Sequence, residues 1–344
     1  MAATSPLHTP LCRDLGLDHP IFSVGFGGAA IPELAAAVSN AGGCGVLGWG
    51  GMPAEAVRTT AERTGALTRR PFGFNFIIAG LDDPDTTDED RSFVQGCVDS
   101  AIEGGAALLI FFWGDPAPFV AAAHAKAVKV FLQAGSAAES AAAAAAGVDG
   151  VIAQGVEAGG HVRATESIWK VLPECVKAVE PLPVLAAGGI GDGAAIVRAL
   201  RAGAQGVSMG TRFVASEEAW VHRAYKQRVV EGSGSETLLG EVFNAGWPDA
   251  PHRVLRNRIV RDWEREGWTA RGTTIGRMTM PWGQPREWQR YSPSMVMPDF
   301  DGDIEEVPLW AGTSVDAVTE IKPAAAIVAD LVREAETALG GTHI

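Results

Sequence analysis

Between Pro20 and Gly210 short apolar runs alternate with alanine-rich, helix-forming runs. The apolar runs are PIFSVG (Pro20 to Gly25), GVLG (Gly45 to Gly48), FGFNFII (Phe72 to Ile78), ALLIFF (Ala107 to Phe112), VKVFLQ (Val128 to Gln133), DGVIAQ (Asp149 to Gln154), PVLAAG (Pro183 to Gly188) and GVSMG (Gly206 to Gly210). They are apolar throughout, whereas a strand with one wet face would alternate. Unbroken apolar strands belong in a parallel sheet covered by helices. Eight such units match an α/β fold of the (β/α)8 TIM barrel type. A doubly wound open sheet is the runner-up, because periodicity does not report closure.

The helical runs carry matching punctuation. Pro32 sits in the first turn of PELAAAVSNAGG, which ends on glycines, and Ser136 opens another helix. One motif misleads. GGCGVLGWGG contains a GxGxxG pattern at Gly43, Gly45 and Gly48, but there the glycines close a helix and open a strand. A dinucleotide fingerprint needs the reverse order, so a Rossmann site is rejected.

After Gly210 the texture changes. Ser216 to about Glu231 reads as a long amphipathic helix capped by Ser216, with His222 on it. Beyond lie Trp247, Trp263, Trp268, Trp282 and Trp288 among prolines and arginines. The expected organisation is a barrel over residues 1–215 and a mostly helical subdomain over its mouth at 216–307. A C-terminal segment, 308–344, then returns to the barrel with a last helix.

Bulk properties narrow the function classes. The 344 residues are 47% hydrophobic and 20% charged, which suffices for a large core. A formal net charge of -13 disfavours nucleic acid and anionic membrane as partners. No apolar run approaches the ~18 residues of a membrane span, and no signal-peptide pattern is evident. The four cysteines are scattered without a CxxC pair, so reduced thiols in a cytoplasmic protein are expected and a metal site is not. A homodimer is compatible with the sequence.

In such barrels chemistry sits at the C-terminal strand ends. Asn75, Gln133 and Gln154 are amides at the ends of apolar strands, where a polar heterocycle or neighbouring backbone would satisfy them. Gly188 and Gly189, then Gly210 and Thr211, follow the last two strands, the recurrent position of a barrel phosphate site. A helix starting near Asp192 would add free N–H groups. The alternative is two tight turns that need glycine only for geometry. Of seven histidines, His161 alone lies in a glycine-rich loop at a strand end, GVEAGGH, after Gly159 and Gly160. There it could exchange a proton near neutral pH. His8, His19 and His343 read as solvated terminal residues, and His252 as a cap or lining of the subdomain. Glu157 reads as structural.

The segments AQGVEAGGH, PFGFNF, PVLAAGGIGDGAAIVRALRAGAQGVSMGTRF, WPDAPHRVLRN and PLWAGTS resemble the nitronate monooxygenase family over nearly the whole chain. The resemblance implies an FMN-dependent barrel that oxidises alkyl nitronates with O2 to a carbonyl compound and nitrite. It implies His161 as the base when a neutral nitroalkane must lose its α-proton. It implies FMN-phosphate contacts at Gly188, Gly189, Gly210 and Thr211, and flavin contacts around Asn75, Gln133, Gln154, Gly159 and Gly160. The first-strand segment SVGFGG (Ser23 to Gly28) departs from the family's APM-like pattern. Alternatives are an FMN-dependent NAD(P)H reductase of an enoyl thioester or quinone, and a flavin-binding barrel without turnover.

Overall fold

A computed structural model of the chain describes residues 7–81 and 83–340; His343 lies outside the described residues. The strands are β1 (Ile21–Ser23), β2 (Gly45–Gly48), β3 (Phe72–Ile77), β4 (Leu108–Phe112), β5 (Lys129–Ala134), β6 (Gly150–Gln154), a two-residue β7 (Gly160–His161), β8 (Val184–Ala187) and β9 (Gly206–Met209). Eight of them form one parallel sheet in the order β1-β9-β8-β6-β5-β4-β3-β2. The ends meet at a parallel bridge between Phe22 and Cys44. There Cys44 N donates to Ile21 O at 2.9 Å and Ser23 N to Cys44 O at 3.0 Å. The sheet is therefore a barrel, not an open doubly wound sheet.

Alternate strand residues point to opposite faces. Phe22, Val46, Leu108, Ile110, Phe131, Ile152 and Leu185 form the inner cluster, which Leu11 and Cys12 of the helix Pro10–Leu15 join. That helix is tied to Gln205, just before β9, through Leu11 N and the Thr9 hydroxyl, so it plugs the N-terminal end. Room inside is tight. A Cβ at Gly150 would lie 2.5 Å from the Phe131 ring, so glycine there lets the phenylalanine fill the barrel. The outer residues Phe74, Phe76, Leu109, Phe111 and Val130 pack beneath the helices.

The segment after β9 differs from its expected form. No long helix starts at Ser216. The Ser216 hydroxyl donates to Phe213 O and accepts from Ala219 N, and the buried Lys226 ammonium takes the carbonyls of Ser216 and Glu217. The backbone N–H groups of Glu217, Trp220 and His222 go instead to Lys322 O, Ala29 O and Val296 O, so the helix begins only at Arg223 and runs to Glu231, with His222 as its cap. Nor is the region mostly helical. Beside a second helix, Arg258–Glu266, it contains β10 (Thr237–Gly240), β11 (His252–Leu255), β12 (Thr274–Thr279), β13 (Pro285–Gln289) and β14 (Asp301–Gly302). β10 and β11 form a small sheet with β7, and β12 lies between β13 and β14 in another. A last helix, Ala324–Gly340, packs on the barrel: a Cβ at Gly193 would sit 2.1 Å from Ala335 N.

Among the described residues no helix is long and apolar enough to cross a membrane. All four cysteines are buried free thiols.

Candidate active site

The C-terminal strand ends open into a cavity of about 340 Å³, within the ~300–1,000 Å³ typical of ligand sites. Asn75, Gln133, Gln154, Gly159, Gly160, His161, Gly188, Gly189, Gly210 and Thr211 all line it. Its outer wall comes from the segment beyond the barrel, with Met280, Trp288, Met295 and Met297 facing in.

The three strand-end amides behave differently. The Gln133 side-chain amide has no hydrogen-bond partner among the described residues and lines the cavity. Asn75 spends its Nδ2 on Ile110 O at 3.1 Å, which leaves Oδ1 for a ligand. Gln154 is buried, and both ends of its amide are engaged. Its Nε2 donates to His161 O at 2.9 Å and its Oε1 accepts from Arg163 N at 2.9 Å. It clamps the loop that carries His161.

That loop is held on every side. Arg253 on β11 donates through Nε and Nη2 to Val156 O, at 2.9 and 2.7 Å. Glu157 accepts from the Ser167 hydroxyl and from Ile168 N, which caps the helix Ile168–Val179. Its backbone carbonyl takes Thr313 N. Val162 N donates to Pro251 O at 2.8 Å, and β7 pairs antiparallel with β11 so that His161 faces His252. A Cβ at Gly159 would lie 2.4 Å from Gly312 N, so only glycine lets the loop close on that strand of chain.

On the opposite wall, Gly188 and Gly189 follow β8 with φ of +99° and +70°, left-handed values that disfavour a side chain. Gly210 follows β9, where a Cβ would meet nothing nearer than Val24 at 3.6 Å. The protein itself leaves that space open. The Thr211 hydroxyl accepts Gly312 N at 2.9 Å and keeps its own proton to donate. The helix start near Asp192 does not contribute as expected. Gly193 N is taken by Glu334 and Ala195 N by Asp192.

His161 sits in an aromatic box. Trp247 stacks on its ring at 4.0 Å between centroids, with Trp310 tilted at 5.4 Å, His252 edge-on at 5.5 Å and Trp113 edge-on at 6.1 Å. Trp113 holds φ of +66°, unusual for a bulky residue, where β4 ends. His161 Nε2 is buried without a hydrogen-bond partner among the described residues. Burial pushes His161 down to about 3, and the neighbouring His252 adds to the shift. His252 is wholly buried and accepts Phe243 N on Nε2 at 3.1 Å, so its proton is on Nδ1, facing Ala250 O at 2.9 Å. Burial pushes it down to about 4, partly offset by the Ala250 bond. Both imidazoles are neutral near pH 7.

Sequence reasoning left several contributors unassigned. Arg253 acts on the loop through the backbone carbonyl of Val156, which leaves no local sequence signal. Trp113 and Trp247 read equally well as core. Arg286 lies on β13, a strand that the sequence did not reveal, and Met280, Met295 and Met297 lie in the irregular stretches beside the outer strands.

The family profile described as nitronate monooxygenase matches residues 9–334. A nitronate monooxygenase of Paraburkholderia phytofirmans is 32% identical over 93% of each chain. A (3aS,4S,5R,7aS)-5-hydroxy-7a-methyl-1-oxo-octahydro-1H-indene-4-carboxyl-CoA dehydrogenase of Rhodococcus jostii is 32% identical over 76% of this chain and 70% of its own. Among solved structures, FabK from Thermotoga maritima superposes with a TM-score of 0.78 at 30% identity, covering 97% of both chains. A nitroalkane oxidase from Streptomyces ansochromogenes superposes with a TM-score of 0.76 at 26% identity, covering 96% of this chain and 99% of that one. With nearly its whole length matched, the chain belongs to the nitronate monooxygenase family of flavin-dependent oxidoreductases.

Proposed function

We propose that the chain oxidises alkyl nitronates with O2 to a carbonyl compound and nitrite, using FMN. The observation that carries this reading is His161. It is a neutral imidazole in an aromatic box at the cavity wall, with its buried Nε2 unpartnered among the described residues.

The residues suit an FMN. The open space at Gly210, the left-handed turn at Gly188 and Gly189 and the Thr211 hydroxyl would hold its phosphate. Asn75 Oδ1 and the Gln133 amide would meet its ring. When bound, the flavin supplies the electron-accepting chemistry. Residues 216–307 would serve as the cover that excludes water, with the methionine wall beside an alkyl substrate.

The electrostatics of His161 bear on which substrate form is used. An imidazole pushed down to about 3 is a weak proton acceptor at pH 7. A nitronate has already lost its α-proton and asks nothing of it. A neutral nitroalkane must surrender that proton to His161. Nitronates are therefore the favoured substrates and nitroalkanes the slower ones. His161→Ala is expected to lose nitroalkane turnover by about 10²-fold or more, the range of positioned acid–base catalysis, while nitronate turnover persists. Equal activity of the variant on both forms sinks the base assignment.

The likeness to a carboxyl-CoA dehydrogenase favours a second reading, FMN-dependent reduction of an enoyl thioester or quinone by NAD(P)H. Oxidation of NAD(P)H by the protein, coupled to thioester reduction, would favour it.

A further inference from the structure

The cavity is electrically one-sided. Among the described residues no aspartate or glutamate lines it, and with His161 neutral the one charged side chain there is Arg286. This is notable in a chain with 41 acidic and 28 basic residues. Arg286 lies on β13, two residues from Trp288, so both project to the same face. Its guanidinium sits 5.0 Å from the Trp288 ring centroid. On the facing strand β12, Arg277 pairs with Asp301 at 3.2 Å. Farther along, Arg290 has Glu306 at 3.8 Å. Arg286 has no carboxylate within ion-pair distance among the described residues. Glu287, beside it in sequence, projects to the other face and takes the Thr274 hydroxyl at 3.3 Å.

Next to this cation the wall is apolar and adaptable. Met280, Met295 and Met297 line it and are buried. Methionine accommodates aliphatic chains of varied shape, and Arg is suited to bidentate recognition of carboxylate or phosphate.

We infer that Arg286 anchors an anionic group at the outer end of the substrate. The site then selects amphiphilic anions, an apolar chain ending in a carboxylate or phosphate, over neutral chains of the same length. This rests on the proposed reading only in taking the cavity as the substrate chamber.

The test is isothermal titration of the purified flavin-loaded protein with hexanoate, hexyl phosphate and 1-hexanol. Binding is read without turnover, so a failure of nitronate oxidation leaves this result interpretable. Hydrogen bonds to charged groups are stronger than those between neutral ones, so at least one anion is expected to bind about 10-fold or more tighter than the alcohol. Comparing the two anions identifies the headgroup. R286Q is expected to abolish the preference and R286K to retain part of it, with thermal stability unchanged because Arg286 is exposed. The preference should also weaken with added salt. No anion preference in the unaltered protein, or an undiminished one in R286Q, overturns the inference. Loss of the flavin's visible absorbance in R286Q also overturns it, since Arg286 would then be serving the cofactor.

Discussion

Gln154 shows how a single side chain can serve a site without touching the chemistry. At the end of an apolar strand it reads as a ligand group. In the fold its amide spans His161 O and Arg163 N, both at 2.9 Å. Gln154→Leu leaves both backbone groups without partners, at a cost of about 1–3 kcal/mol each where they stay buried. The expected result is a His161 loop that no longer holds its place, with nitroalkane kcat reduced about 10-fold and flavin retained. Gln154→Glu should not rescue it, because a carboxylate cannot donate to His161 O. Flavin loss with unchanged turnover per bound flavin would instead make Gln154 a cofactor contact. His161 itself was legible because it alone joined a strand end to glycines. Its depressed basicity was not, since that follows from Trp247, Trp310 and His252, all distant in sequence.

At the scale of elements, all eight barrel strands were legible. Burial on both faces leaves an unbroken apolar run, the strongest local signature a strand can have. Closure was not, since it depends on the Phe22–Cys44 bridge. The outer strands escaped because they are partly exposed and mixed in character. β12 and β13 are a hairpin around PWGQ, with Met280 N bonded to Gln284 O and Gly283 at φ of +86°. The Thr-Ile-Gly-Arg-Met-Thr run before that turn was the available signal. The turn carrying Trp247 makes a separate prediction. It is flanked by Gly246 at φ of +81° and Asp249 at +54°, and Trp247 covers one face of the imidazole. Trp247→Ala should admit water and move His161 upward toward its ordinary ~6.5. The pH profile of nitroalkane turnover would then gain an inflection on the acid side of neutrality that the unaltered protein lacks. An identical profile in both proteins means that Trp247 does not govern that proton.

At the scale of the molecule, the two buried imidazoles couple the site to folding. His161 is pushed down to about 3 and His252 to about 4, whereas both would sit near ~6.5 in the unfolded chain. Below about pH 6.5 the unfolded chain therefore binds more protons than the fold. Their contribution is complete above that value and is lost progressively as pH falls toward 4 and 3. Thermal unfolding should show Tm dropping on acidification through this window. His161→Phe, which keeps the aromatic packing but cannot titrate, should make the drop shallower. A slope unaffected by that replacement would mean that His161 is not held neutral.

The central claim is that this barrel oxidises nitronates, and an anaerobic half-reaction addresses it most directly. The purified yellow protein is mixed without oxygen with an alkyl nitronate in one cell and with NADPH or NADH in another, and its visible absorbance is followed. The account expects bleaching by the nitronate, recovery of colour on admitting air, and no rapid bleaching by either nicotinamide. Rapid bleaching by NADPH or NADH with no response to the nitronate would contradict it.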